Sequence, residues 1–178
     1  LQRSANCLLD QRNLITKTVF PSEVIPISVF LSAMVSHLMA LTMVIVACVL
    51  WLGSVSGMVL LLPVYMLLTG LLAVGLGWIV AGLQVYLRDT AQVVSVVLTL
   101  WFWVTPIFIS QDQVPEQLQF VVRYNPMSFL VRAYRDRLLS YRAPEWDELV
   151  MLTAYAVTAF FVGGLFFRQL KRGFADVL

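Results

Sequence analysis

The chain has 178 residues, of which 60% are hydrophobic and 12% charged, with a formal net charge of +2 and a mean hydropathy of +0.85. A soluble domain carries about 25% charged residues, so this composition is that of an integral membrane protein. The small net charge and the lack of any basic tract argue against a nucleic-acid partner, and two distant cysteines, Cys7 and Cys48, suggest neither a disulfide framework nor a metal site.

The chain opens at Leu1 inside polar sequence, with no initiator Met, charged n-region or cleavage site, so no signal peptide is expected and an upstream part of the protein is expected to be missing. Residues 1–26 read as a cytoplasmic segment. Within it, "LLDQRNLITKTVF" (Leu8 to Phe20) alternates polar and apolar residues and predicts one short amphipathic helix.

Four runs are long and apolar enough to span about 30 Å of hydrocarbon as helices, at roughly 20 residues each. The first, about Ile27 to Leu52, has His37 as its one ionisable side chain, expected to be satisfied in the interior. "GSVSG" (Gly53 to Gly57) then makes a polar turn; Val55 stands where an esterase elbow would need its serine. The second run, about Met58 to Leu87, exceeds the length a bilayer requires, and Pro63 is the expected kink. Ala73, Gly77 and Ala81 place small residues on one face, where another helix can approach closely. Arg88 and Asp89 alone interrupt the apolar sequence before the third run, Ala91 to Ile109.

The long connection, residues 110–148, contains two short amphipathic helices. Pro115 starts the first; Asn125 stops it and caps the second, with Pro126 at the first helical position. In the second helix Leu130, Tyr134, Leu138 and Tyr141 form one stripe, expected to pack on the spans. Arg132 and Asp136 are spaced for an i,i+4 ion pair, and the arginines of this stretch are expected where water or headgroups reach them. On physical grounds alone the pair either lies flat on the surface or dips into the outer leaflet and returns. A fourth run, Leu149 to Phe167, precedes a tail at residues 168–178. Seven basic residues fall on the side of the N-terminal segment and the tail and five on the other, so the positive-inside rule puts the first set in the cytoplasm. No HExxH and no glycine-rich phosphate loop occurs, so any ATP hydrolysis belongs to another chain. The spans also lack the buried carboxylates or arginines an ion-coupled carrier would need.

"KTVFPSEVIPIS" (Lys17 to Ser28), "VYLRD" (Val85 to Asp89), "TPIF" (Thr105 to Phe108) and "VPEQLQFVVRYNPMSFLVRAYRDRLL" (Val114 to Leu139), in this order relative to the spans, resemble the permease subunits of ABC-2-type exporters. The likeness is nearest to those that export bacterial polysaccharides such as O-antigen, capsule or teichoic acid. The resemblance implies an all-α polytopic fold with four spans here, two more upstream, and a re-entrant helical pair between the third and fourth. It implies a multi-pass protein of the bacterial inner membrane, paired as a homodimer and bound to an ATPase subunit that holds ATP and Mg, with no cofactor in this chain and a lipid-linked polysaccharide as substrate. Arg12, Asn13 and Leu14 would belong to a coupling helix, with Arg88 and Asp89 as a second contact to the ATPase. Trp101, Phe102, Trp103, Phe108 and Tyr124 would line the translocation path by stacking on sugars, although such a cluster also suits an interfacial aromatic belt. Asn125, Pro126, Arg132 and Arg135 would form the re-entrant turn. An ABC-2 exporter of drugs or small lipids, and a membrane assembly protein without transport activity, are the alternative readings.

Overall fold

The computed structural model describes residues 1–17, 20–53, 56–107, 116–140 and 143–174. Among them all regular structure is helical: α1 (Gln2–Asp10), α2 (Arg12–Lys17), α3 (Val24–Leu52), a 3₁₀ turn (Gly57–Leu61), α4 (Leu62–Tyr86), α5 (Thr90–Val104), α6 (Glu116–Tyr124), α7 (Pro126–Arg135), a π-helical turn (Asp136–Ser140), α8 (Trp146–Leu170) and a final 3₁₀ turn (Lys171–Gly173). Three helices are long and apolar enough to cross a membrane: Val24–Leu52, Gly57–Tyr86 and Trp146–Gly173. The chain is an all-α polytopic membrane protein.

Local sequence explains the breaks. Gly53 takes the left-handed conformation (φ 74°) that ends α3, its N–H bonded to Val49 O. Ser56 caps the 3₁₀ turn through Met58 N. Pro63 lies in the first turn of α4, so the long second run is resolved by a 3₁₀ entry with proline starting the α-helix, not by a kink within it. The third run forms only α5, 15 residues ending at Val104, roughly 22 Å of helix. The helix expected over Leu8–Phe20 is two helices, because the chain turns at Gln11.

α4 is the central element, packed most extensively on α8. Their axes approach until backbones touch: a Cβ added to Gly75 would strike Ala159 O, and one added to Gly163 would strike Gly75 O. This glycine contact, not the Ala73–Gly77–Ala81 face, joins the two spans. The latter face takes α1 instead, with Ser4 Oγ 3.3 Å from the position of a Gly77 Cβ. Residues Gln2–Asp10 thus pack into the bundle, where Ala5 and Leu8 are fully buried. By contrast α3 buries only Ile25, Pro26 and Cys48.

The core divides along α4. One cluster joins Cys7 and Leu8, Ile25, Val74, Trp78, Ala81, Val85, Phe167 and Phe174. The other joins Tyr65, Leu68 and Leu72 of α4, Phe129, Leu130 and Ala133 of α7, and Leu152 and Ala156 of α8. The α6–α7 hairpin therefore belongs to the end of the bundle opposite α1 and α2.

Candidate functional sites at the two ends of the bundle

At the first end the α4–α5 corner is built by Gln84. Its amide, 4% exposed, donates to Arg88 O at 2.9 Å and accepts from Ala91 N at 2.7 Å. One buried side chain thus serves both an orphan carbonyl and a helix-start N–H, and it fixes the turn that presents the exposed Arg88 and Asp89. Arg12, Asn13 and Leu14 are exposed on α2, whose Ile15 packs on the same core cluster as Val85. The structure therefore brings Arg12–Leu14 and Arg88–Asp89 to one end of the bundle. Two further bonds brace that end: Trp78 Nε1 donates to Glu23 O at 3.0 Å, and Tyr86 OH donates to Leu170 O at 2.8 Å. Lys171 Nζ lies 2.8 Å from both carboxylate oxygens of Glu23. Burial raises the Glu23 pKa, but the hydrogen bond and charge of Lys171, a backbone N–H and the charge of Arg168 together hold the carboxyl below its ordinary value.

At the opposite end the centre is Asn125, only 6% exposed. Its Oδ1 accepts from Met127 N at 3.0 Å, capping α7 as its position before Pro126 predicts. The same oxygen accepts from Trp101 Nε1 at 2.7 Å, while Nδ2 donates to Thr105 Oγ1 at 3.0 Å. Thr105 Oγ1 in turn donates to Trp101 O at 2.8 Å. The turn between α6 and α7 is thereby tied to the end of α5. Trp101, Tyr124, Asn125 and Pro126 share a cavity of about 340 Å³. Phe102 and Trp103 stand edge to face, their ring centroids 5.9 Å apart, and Trp103 is 77% exposed. Phe108 lies outside the described residues, as do Pro115 and Tyr141.

The arginines differ from expectation. Arg132 pairs with Glu148 of α8 at 2.6 Å, not with Asp136. The reason is that α7 gives way to the π-helical turn at Asp136, while α8 offers a carboxylate that also ties the hairpin to the bundle. Asp136 lies instead 3.8 Å from Arg137 Nη1. Arg137 is not in water either: it is 3% exposed, donates to Tyr65 OH at 2.9 Å, and sits 5.1 Å from the Tyr65 ring centroid. Desolvation is offset there by an aromatic face and a hydroxyl. Arg135 Nη2 donates to Ile107 O at 2.7 Å, tying the end of α7 to the chain just past α5. Of the expected stripe, Leu130 and Leu138 are buried, and Tyr134 is hydrogen-bonded to His37 Nε2 at 2.9 Å.

Gln84, Thr105, Tyr65 and Glu148 escape sequence reasoning. Gln84 left a trace, as a lone amide near the end of an apolar run. The partners of the other three are remote in sequence.

Comparison with known proteins adds identity to this geometry. Residues 3–139 match the family model described as ABC-2 type transporter. An O-antigen export system permease protein RfbA of Myxococcus xanthus is 29% identical over 174 residues, covering 97% of this chain and 67% of the relative. Two proteins of the same name from Klebsiella pneumoniae are 29% and 28% identical, each covering 93% of this chain and 64% of the relative. The chain spans about two thirds of the length of these relatives. The matched region runs from the buried α1 through the α4–α5 corner to the π-helical turn, and so holds Arg12–Leu14, Arg88–Asp89 and the Asn125 centre, while Glu148, Leu170 and Lys171 lie beyond it. The chain belongs to the ABC-2 type transporter family.

Proposed function

We propose that this chain is the membrane-spanning permease part of an ABC exporter that moves a lipid-linked polysaccharide across the bacterial inner membrane. The observation that carries the reading is that three relatives covering 93–97% of the chain are all named O-antigen export permeases. ATP and Mg are held by a separate ATPase subunit, which docks on Arg12–Leu14 and Arg88–Asp89. The exposure of both stretches at one end of the bundle, and the rigid Gln84 corner beneath one of them, support this docking. A second permease copy completes the path.

The α6–α7 hairpin is the re-entrant pair at the outer mouth. Support comes from α7, whose Phe129 and Leu130 share a cluster with Leu72, roughly 15 Å along α4 from its start. A helix lying flat would meet only the ends of the spans. Trp103 and its neighbours on α5 offer stacking surface to a sliding polymer, which needs contact without a fixed hydrogen-bond register.

Deleting the gene in its host, followed by gel analysis of surface and intracellular polysaccharide, tests the proposal. Loss of surface polymer with lipid-linked polymer retained inside is the expected result. Unaltered surface polymer overturns it, and loss of drug or small-lipid efflux in that case identifies the other exporter class.

A further inference from the structure

Helix α1 carries two stripes. Ser4, Ala5, Cys7 and Leu8 are buried against the bundle, while Gln2, Arg3, Asn6 and Asp10 are exposed along the opposite face. The depth of that exposed face is what needs explaining. Ser4 Oγ lies 3.3 Å from the position of a Gly77 Cβ, nine residues before α4 ends at Tyr86, about 13 Å of helix. Gln2 Nε2 donates to Ser95 Oγ at 3.3 Å, five residues past the start of α5 at Thr90, about 7 Å of helix. The start of α1 therefore sits inside the apolar stretches of the spans, and the chain leaves it toward α2 and the α4–α5 corner.

Hydrocarbon does not tolerate such a face. An arginine at bilayer depth is costly unless water or a partner meets it, and among the described residues Arg3 forms no ion pair. Asn6 continues the polar line, and Asp10, nearest the corner, brings it to the surface. Gln2 and Arg3 also stand in the wall of a cavity of about 760 Å³, bounded by Phe30 of α3, Ala73 of α4, Leu98 of α5 and, from the hairpin, Tyr134. The polar line thus opens into a space that extends from α1 to the underside of the hairpin. Polar groups at this depth are compatible with a bilayer where they line a water-filled cavity.

We infer that the exposed face of α1 lines a water-filled recess, entering from the end that holds Arg12–Leu14 and Arg88–Asp89, and that Arg3 and Asn6 form the entrance of the export path. The entrance role rests on the export reading; the recess does not.

The test uses the complete permease–ATPase complex in inverted membrane vesicles, treated with a membrane-impermeant trimethylammonium methanethiosulfonate. Cys7 and Cys48 are free and buried, so the unsubstituted chain is the silent reference. Gln2→Cys, Arg3→Cys and Asn6→Cys should be labelled within tenfold of the rate of Asp10→Cys, because a thiol reacts as the thiolate and so needs water. Leu31→Cys and Leu165→Cys are controls at similar depth, seven residues into α3 and five before the end of α8. Both leucines are exposed on the bundle surface, and these variants should react at least a hundredfold more slowly. Labelling at Asp10→Cys alone, or equal rates at Asn6→Cys and Leu31→Cys, overturns the recess. In the second arm, the adduct on Asn6→Cys should lower polymer export at least fivefold, and a reducing agent that removes it should restore export. Export unchanged by a complete adduct refutes the entrance role. A complex that exports no polymer before labelling refutes the export reading and leaves the labelling pattern to decide the recess.

Discussion

Replacing Asn125 with Ala removes three contacts at once, and the cost can be worked from their geometry. The cap on Met127 N is worth about 1 kcal/mol. Trp101 Nε1, part-buried and bonded to Asn125 at 2.7 Å, is left without its acceptor, at about 1–3 kcal/mol. Thr105 retains its own bond to Trp101 O, so loss of the Nδ2 donor adds little. The total, about 2–4 kcal/mol, acts on the hairpin and not on the whole bundle. Local opening should therefore rise by one to three orders of magnitude at about 1.4 kcal/mol per decade. Hydrogen exchange of the amides of Ser128 and Phe129, which bond to Asn125 O, reads this directly. In a Trp101→Phe background the indole donor is already gone, so Asn125→Ala should cost only the cap, about 1 kcal/mol. The difference between the two backgrounds is the coupling energy. Protection unchanged within threefold in the single variant, or equal losses in the two backgrounds, would refute the assignment of Asn125 as the tie between hairpin and α5.

Gly75→Ala and Gly163→Ala force a methyl into the backbone of the facing span, so folded protein should be largely lost in detergent, whereas Gly57→Ala, with nothing within 4 Å, should behave as wild type. Cys7 is a convenient reporter for such measurements: burial, reinforced by the Asp10 charge, pushes its thiol up to about 12, so a thiol-reactive dye should stay silent until the bundle opens. The Glu23 carboxyl is depressed by Lys171, so their pair stabilises at pH above the ordinary glutamate value, near 4.3, and is lost as pH falls through the lower folded value. Thermal melts should therefore show an acid-side loss that is smaller in Lys171→Met, with an effect under about 1 kcal/mol because both groups are over a third exposed. Charge reversal at Arg12 and Arg88 should lower co-purification of the ATPase or uncouple hydrolysis from export, and unchanged recovery and export in both would remove the docking assignment. Trp103→Ala should cut polymer export at normal protein level, whereas Trp101→Ala should also loosen the hairpin.

The sequence was most readable where one-dimensional rules suffice. Charge-free runs of sufficient length mark α3, α4 and α8, because hydrocarbon leaves the backbone no alternative to helix. The Asn125–Pro126 pair marks the start of α7, because a cap and a first-position proline act within four residues. The same local rules mislead where a remote partner competes. Arg132 has Asp136 one turn away, yet it reaches Glu148, since an ion pair between α7 and α8 is compatible with the hairpin's packing while the helix itself loosens after Arg135. Small-residue spacing correctly marks a close approach at Gly77, but the closest one is at Gly75, one helical face away. Nothing in the sequence of α4 alone distinguishes the face that meets α1 from the face that meets α8. That choice depends on Gly163, almost ninety residues on, and the two glycines acquire meaning only as a pair. The candidate sites divide in the same way. The exposed charges of the α4–α5 corner interrupt an apolar run and so can be seen, whereas Gln84, which gives that corner its shape, works through the backbone of Arg88 and Ala91. A side chain that serves main-chain groups leaves no complementary residue type to search for. Functional side chains on this chain are therefore easier to find than the ones that hold them in place.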